Sequence, residues 1–298
     1  MSGARVTLLF AVALASGAQA EPFDFSLSKL GNPSVGGPGY SAQANANFRT
    51  FARQLGAGLS SVNLMPPETV GYAGFSVAAE LAVVDFGATP YAFPTEKAFR
   101  GPWLMPSVHI RKGLPFSFEL GFRGTYLAQS RMAAGTFELK WALQEGYSFL
   151  PDIGVRAFVT KLVNTRDFEL GVGGLDVGVG KQFALGGMVT LTPYLGWNLG
   201  FVGAGSRQVD FQPDRPLSQA ELTNDQYLAG TIGVFRGVLP LENAHHRFYV
   251  GLRLIGGVLQ VGAEFSYAVI GGFRDETTAT ERAVPGVLSV NSTVGLDF

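Results

Sequence analysis

The 298-residue chain contains no cysteine, which removes disulfide scaffolds and thiolate metal sites from consideration. Charged residues make up only 15% of it, against about 25% in an average soluble domain. The formal net charge of -1 leaves no basic excess to neutralise phosphates, and this argues against nucleic acid as a partner. Long apolar runs are missing as well. No stretch beyond the N-terminus approaches the roughly 18 uninterrupted apolar residues of a transmembrane helix. Histidine is scarce (His109, His245 and His246), and neither H-E-x-x-H nor G-x-S-x-G occurs, so the common zinc-protease and serine-hydrolase signatures are absent.

Glycine and phenylalanine are abundant instead, at 40 and 24 residues, and the mean hydropathy is positive. Residues 1–20 read as an export signal: one charge at Arg5, an apolar run from Val6 to Ala15, and a small-x-small cleavage site at Ala18-Gln19-Ala20. An exported, apolar chain without membrane helices has two physical solutions. Either it buries a large β core, or it turns alternate apolar side chains toward lipid.

Periodicity favours the second. Phe116, Phe118, Leu120, Phe122 and Tyr126 fall on one face of an extended segment, with Ser117, Glu119, Gly121, Arg123 and Thr125 on the other. Phe137, Leu139, Trp141 and Leu143 alternate with Thr136, Glu138, Lys140 and Gln144, and Leu195, Trp197, Leu199 and Phe201 continue the theme. Aromatic residues outward and small, polar or charged residues inward is the pattern of a membrane β-barrel, which must close because a free sheet edge cannot be satisfied in hydrocarbon. The expected fold is therefore all-β, a closed antiparallel transmembrane β-barrel of about 10 strands, with 12 as the alternative. The strands are placed near 72–85, 103–112, 116–127, 134–144, 152–163, 167–182, 188–204, 226–238, 246–270 and 286–298. Connections then alternate short and long, and the long ones all face outward if the C-terminus is periplasmic. The apolar phase switches near Gly256-Gly257 and again near Gly173-Gly174. Both switches are read as β-bulges; a tight turn at the first would make two strands.

Ahead of the barrel (67–298), residues 21–66 divide into a Gly/Pro-rich stretch, Glu21 to Ser41, expected to be a mobile tail, and a weak helix. Phe48, Phe51, Ala52, Leu55, Leu59 and Val62 recur at helical spacing, while Gly56 and Gly58 lower the helix propensity. This helix is either a plug in the lumen, through Phe48, Phe51, Leu55 and Leu59, or a cap at the periplasmic mouth. The expected lumen lining is Glu80, His109, Arg111, Glu119, Arg123, Glu138, Lys140, Arg156, Glu169, Asp176, Arg253 and Glu264. Its mixed signs suit an internal ion-pair network better than a selective pore.

The terminal segment from Val287 to Phe298 resembles the C-terminal signature of bacterial outer-membrane β-barrels. That resemblance gives Val290, Val294, Leu296 and Phe298 the role of the barrel-insertion signal. Leu55-Gly-Ala-Gly-Leu, Gly71-Tyr-Ala-Gly-Phe and Val261-Gly-Ala-Glu-Phe are similar to a family of uncharacterised outer-membrane barrels without an established activity. The N-terminal segment is also similar to that of long-chain fatty-acid transport barrels, which plug their lumen. The first of these resemblances implies recognition by the barrel-insertion machinery. The expected location is the bacterial outer membrane, the expected state a monomer, and the polar, mixed-charge stretches Pro213 to Asp225 and Arg274 to Arg282 suit contact with lipopolysaccharide, cations or a partner protein.

The function readings from sequence are, in order, passive passage or binding of a small solute, hydrophobic or not, a structural or surface-interaction barrel without conductance, and a barrel-embedded hydrolase. The last would use His109 with Ser107 or a lumen carboxylate. No catalytic residue, cofactor or metal is otherwise expected. His245-His246 reads as a solvated turn, and Gly171-Val-Gly-Gly-Leu-Asp176 only superficially matches a dinucleotide loop.

Overall fold

A computed structural model describes residues 21–31, 33, 38–60, 64–87, 93–98, 101–187, 189–207, 209, 211, 234–275 and 279–298; residues 1–20, expected to be an export signal, lie outside them. The elements are α1 (Pro38–Leu59), β1 (Phe75–Asp85), β2 (Trp103–Leu114), β3 (Phe118–Tyr126), β4 (Ala133–Gln144), β5 (Asp152–Val163), β6 (Phe168–Gly180), β7 (Phe183–Leu185), β8 (Val189–Ser206), β9 (Ala244–Gly256), β10 (Leu259–Val269), β11 (Phe273–Arg274), β12 (Glu281–Arg282) and β13 (Val287–Asp297).

Ten of the strands close into an antiparallel barrel in the order β1-β2-β3-β4-β5-β6-β8-β9-β10-β13, with β13 returning to β1 over Ser76↔Asp297 to Asp85↔Leu288. Short β7 extends the β6 edge along β8, and β11–β12 form a separate hairpin. Closure leaves the barrel ladder without a free edge, as hydrocarbon demands. Alternation sorts the side chains. Phe122, Phe137, Leu195, Phe248, Val250, Phe265, Val290 and Val294 are each about half exposed on the outer wall, where Phe118 stacks on Trp141 at 5.5 Å. Val290, Val294 and Leu296 of β13 and Phe298 just after it are exposed on the outer side. Phe116 does not join them. It sits in the β2–β3 turn with φ 62, because a three-residue connection has no room to continue the strand.

Connections at one end are 115–117, 145–151, 181–188 and 257–258; at the other they include 86–102, 207–243 and 270–286. The short end is periplasmic and the long end extracellular.

The expected count of ten strands is right, although two of its parts are not. Residues 246–270 are two strands, β9 and β10, joined by a two-residue hairpin loop with Gly257 at φ +63. A tight turn, not a bulge, switches the phase there. In 226–238, the described residues 234–238 carry only an isolated bridge, Val238↔Ala204. The remainder, 226–233, lies outside the described residues. Leu239–His245 is consequently at the extracellular end rather than a periplasmic turn. In β6 there is no bulge at Gly173-Gly174, and the register with β5 and β8 is continuous. The apolar pattern shifts because Phe168, Leu170 and Val172 point into the lumen, where an apolar plug meets them, and Asp176 points inward lower down.

The tail prediction fails for residues 21–31. Phe25, Leu27 and Leu30 are buried, and the backbone bonds into the extracellular loops through Phe23 N to Gln129 O (3.0 Å), Ser26 N to Pro94 O (2.7 Å) and Glu96 N to Asp24 O (3.0 Å). Glycine and proline content hid four apolar side chains, Phe23, Phe25, Leu27 and Leu30, that repay ordering. From this roof α1 descends through the lumen, and residues 64–74 lead to β1 at the periplasmic end. The chain thus runs through its own barrel from outside to inside.

Candidate functional site: a filled, ion-paired lumen

The middle of the lumen is ringed by ion pairs. Inward positions on successive strands carry Glu80, His109, Arg123, Glu138, Arg156 and Asp176, each at most 6% exposed. His109 Nδ1 lies 2.9 Å from Glu80 Oε1. Arg123 Nε donates to Glu80 Oε2 at 2.6 Å and its Nη1 to Glu138 Oε1 at 3.0 Å. Arg156 joins Glu138 and Asp176, both at 3.1 Å, and the Tyr249 hydroxyl donates to Asp176 at 2.6 Å. Strands β1 through β6 and β9 are thereby laced by one hoop. Its three carboxylates face two guanidiniums and an imidazole, so the signs nearly cancel. A selectivity ring would carry one sign; buried opposite charges that satisfy one another instead lock the wall.

Nearer the periplasm, inward acids hold the segment that leaves the lumen. Glu119 accepts from Lys140 Nζ (2.9 Å) and from Val70 N (2.8 Å), and Arg111 lies 3.9 Å from Glu119 and 3.7 Å from Asp297. Glu264 accepts from Leu64 N at 2.9 Å, and Arg253 pairs with Glu68. Eleven of the twelve expected lumen residues therefore point inward. Glu169 does not. It is on the outer rim between Lys161 and Arg207, both at 3.0 Å, above the lipid-facing belt where a charge is tolerated.

Above the hoop the lumen is filled by apolar side chains. Phe48, Phe51 and Leu55 are fully buried and Leu59 is 6% exposed. Phe51 and Phe25 pack at 4.8 Å within a cluster that includes Phe93, Trp103 and Phe168, and Phe48 packs on Phe235 at 5.1 Å. The wall grips the helix through polar contacts to backbone: Arg53 to Ile270 O (2.5 Å), Gln54 to Phe86 O (3.0 Å), and Arg247 to Ala57 O. An internal void between Gly58, Ser60, Arg123, Thr136 and Asn291 measures about 30 Å³, room for a water or two.

Sequence reasoning missed Arg247 and Tyr249, although they alternate with outward Phe248 and Val250; the assumption that aromatics face lipid concealed Tyr249. His245 and His246 are strand residues rather than a turn. His245 is 1% exposed inside the wall, and His246 stacks outside on Trp197 at 5.8 Å. His109 is enclosed by Glu80, Arg123 and Glu138, with no hydrogen bond to Ser107 among the described residues. The described residues hold no cluster able to ligate a metal.

At the extracellular mouth, α1, residues 236–243 and the β11 hairpin enclose a pocket of about 50 Å³ lined by Asn45, Arg49, Arg236, Glu242, Asn243, Phe273 and Arg274. Arg49 Nε donates to Asn243 Oδ1 at 3.0 Å and its guanidinium lies 4.7 Å from the Phe273 ring centre. Partial burial holds the Arg49 guanidinium below its ordinary value, and Glu242 opposes that shift.

A closed antiparallel barrel with an apolar outer wall and a polar, ion-paired interior is a transmembrane β-barrel of the bacterial outer-membrane class. No protein-family model and no curated protein matches the chain. Among solved structures it is similar to the outer membrane protease OmpT of Escherichia coli, at 8% identity over 78% of this chain and 99% of that one with a TM-score of 0.35. Neisserial surface protein A is 13% identical over 75% and 94%, with a TM-score of 0.28. The attachment invasion locus protein Ail of Yersinia pestis is 10% identical over 76% and 100%, with a TM-score of 0.26 to 0.27 across two structures, at 10% and 11% identity.

Proposed function

We propose that the protein is a closed outer-membrane barrel whose work is done at its extracellular face, as a surface-binding element rather than a constitutive channel. The observation that carries this reading is the filling of the lumen: α1 and residues 21–31 occupy its extracellular half, and the balanced ion hoop braces the wall below them. The passage reading preferred from sequence needs space that the void of about 30 Å³ does not supply. Long outer loops and the roof segment 21–31 would meet lipopolysaccharide sugars or a partner at the surface, and the outward row Val290, Val294, Leu296 and Phe298 would serve the insertion machinery.

Single-channel recording in a planar bilayer tests the proposal. The intact mature protein is expected to give no steady current, and a variant lacking residues 21–60 is expected to conduct. A stable open current from the intact protein would overturn the reading.

A further inference from the structure

We infer that His245 is an acid-sensitive latch for the extracellular arm 234–246, which protonation of its ring loosens from β8. The inference rests on the surface-binding reading, to which it adds a regulation of the face that would do the binding. His245 is the second residue of β9 and is 1% exposed. Among the described residues, neither of its ring nitrogens has a hydrogen-bond partner. The ring fills a seat left by Gly200, its partner on β8, where a methyl group would lie 2.3 Å from His245 Cε1. A neutral imidazole fits that seat as a flat plate. An imidazolium there would bring a charge and two N–H donors to a place without an acceptor, which is costly in a buried site.

The surroundings add repulsion. α1 presents Arg53 to the ring, and β9 presents Arg247 and, across the backbone, His246. Both arginines fasten α1 to the wall: Arg53 donates to Ile270 O at 2.5 Å, and Arg247 donates to Ala57 O and to Ser60 O (3.4 Å) at the carbonyl end of the helix. The inward neighbours on β8 are Asn198 and Val202, and on β10 Ala268; none is ionisable. Glu264 and Asp176 face Arg247 deeper in the lumen, and no carboxylate among the described residues faces His245. The way to water is short. Ala244 and His245 pair with Phe201 and Gly200 at the very start of β9. The arm ahead of them is tied to β8 by Val202 N donating to Asn243 O at 3.1 Å and by the Val238↔Ala204 bridge at 2.8 and 3.0 Å. Lifting these few bonds carries a charged ring to the extracellular mouth while the rest of β9 stays in the wall. A histidine in water takes up its proton near pH 6.5, by the usual value of about 6.5. The seated, neutral ring is therefore favoured above that pH. Below it, the one proton gained on lifting makes the lifted state about tenfold more populated per pH unit.

Amide hydrogen exchange on the intact protein in lipid vesicles tests this at two acidities, about pH 7.5 and about pH 5.0, with rates corrected for their intrinsic pH dependence. Protection of residues 234–246 is expected to fall about 30-fold between the two, while β2 to β5 keep theirs. His245→Gln and His245→Phe are expected to remove that fall, and His246→Phe, on the outer wall, to preserve it. Either His245 variant suffices if the other does not fold, and if neither folds the wild-type contrast between the arm and β2 to β5 decides. Unchanged protection in the wild type, an equal fall across the whole barrel, or an undiminished fall in a folded His245 variant would overturn the inference. These outcomes are read without a current, so failure here is separable from failure of the closed-barrel reading, which the bilayer recording decides.

Discussion

Glu138 sits between Arg123 at 3.0 Å, Arg156 at 3.1 Å and His109 at 3.6 Å, which makes it the most connected carboxylate of the hoop. Removing its charge leaves two buried guanidiniums short of a partner. Glu138→Gln is therefore expected to destabilise the barrel by about 3–5 kcal/mol, read as a lowered urea midpoint by tryptophan fluorescence in lipid vesicles. Glu169→Gln, on the exposed outer rim, is expected to leave that midpoint unchanged. The contrast shows how far residues could be placed from sequence. Alternation assigned Glu80, Arg123, Glu138, Arg156 and Asp176 to the lumen correctly, because the apolar side chains next to them, on one side for Arg123 and on both for the others, marked the outer face. It failed at Glu169, where Phe168 and Leu170 are also apolar but face a plug. Two-residue periodicity separates two faces; it does not say which one lipid covers.

The same ambiguity operates on whole elements. Gly56 and Gly58 read as weaknesses in α1, yet a methyl group at Gly56 would lie 2.6 Å from Val202 Cγ1, and one at Gly58 would lie 2.7 Å from Phe86 Cε1. They are contact points where the helix approaches the barrel wall. Gly56→Ala should raise the helicity of the isolated segment, worth up to about 1 kcal/mol, and still destabilise the intact barrel through overpacking of about 1–3 kcal/mol. Circular dichroism of a peptide and urea unfolding of the full protein would give shifts of opposite sign. The helix was legible from the spacing of Phe48, Phe51, Leu55 and Leu59. Its position was not, because an apolar stripe at 3.6-residue spacing fits a lumen and a mouth equally well. The β9–β10 turn was misread for a related reason: a Gly-Gly pair at a phase switch suits a bulge and a hairpin alike, and only a partner register distinguishes them.

At the scale of the molecule, the barrel and its strand number followed from the alternation of apolar and polar residues, whereas the path of the chain did not, since the contacts that fix residues 21–31 are to loops far away in sequence. Leu27 N bonds to Asp167 at 3.0 Å, and Asp24 pairs with Arg131 at 2.7 Å. Residues 21–31 are accordingly at the extracellular end of the barrel. With no native cysteine to interfere, Lys29→Cys should react with a membrane-impermeant maleimide on intact cells, and Tyr72→Cys, 81% exposed at the periplasmic end, should react only after the outer membrane is breached. The reverse pattern would invert the assigned orientation.

A segment that enters a ring from one side and is joined to the ring on the other constrains the order in which the parts can be put together. Pulling residues 21–59 through a finished cylinder already crowded with paired charges would mean breaking those pairs, so the cheaper route is to lay the segment down first and fasten β1 to β13 around it. The seam between the first and last strands then acts as a clasp. Once fastened, it traps its contents, and unplugging the protein becomes a matter of reopening the wall rather than of sliding a stopper free.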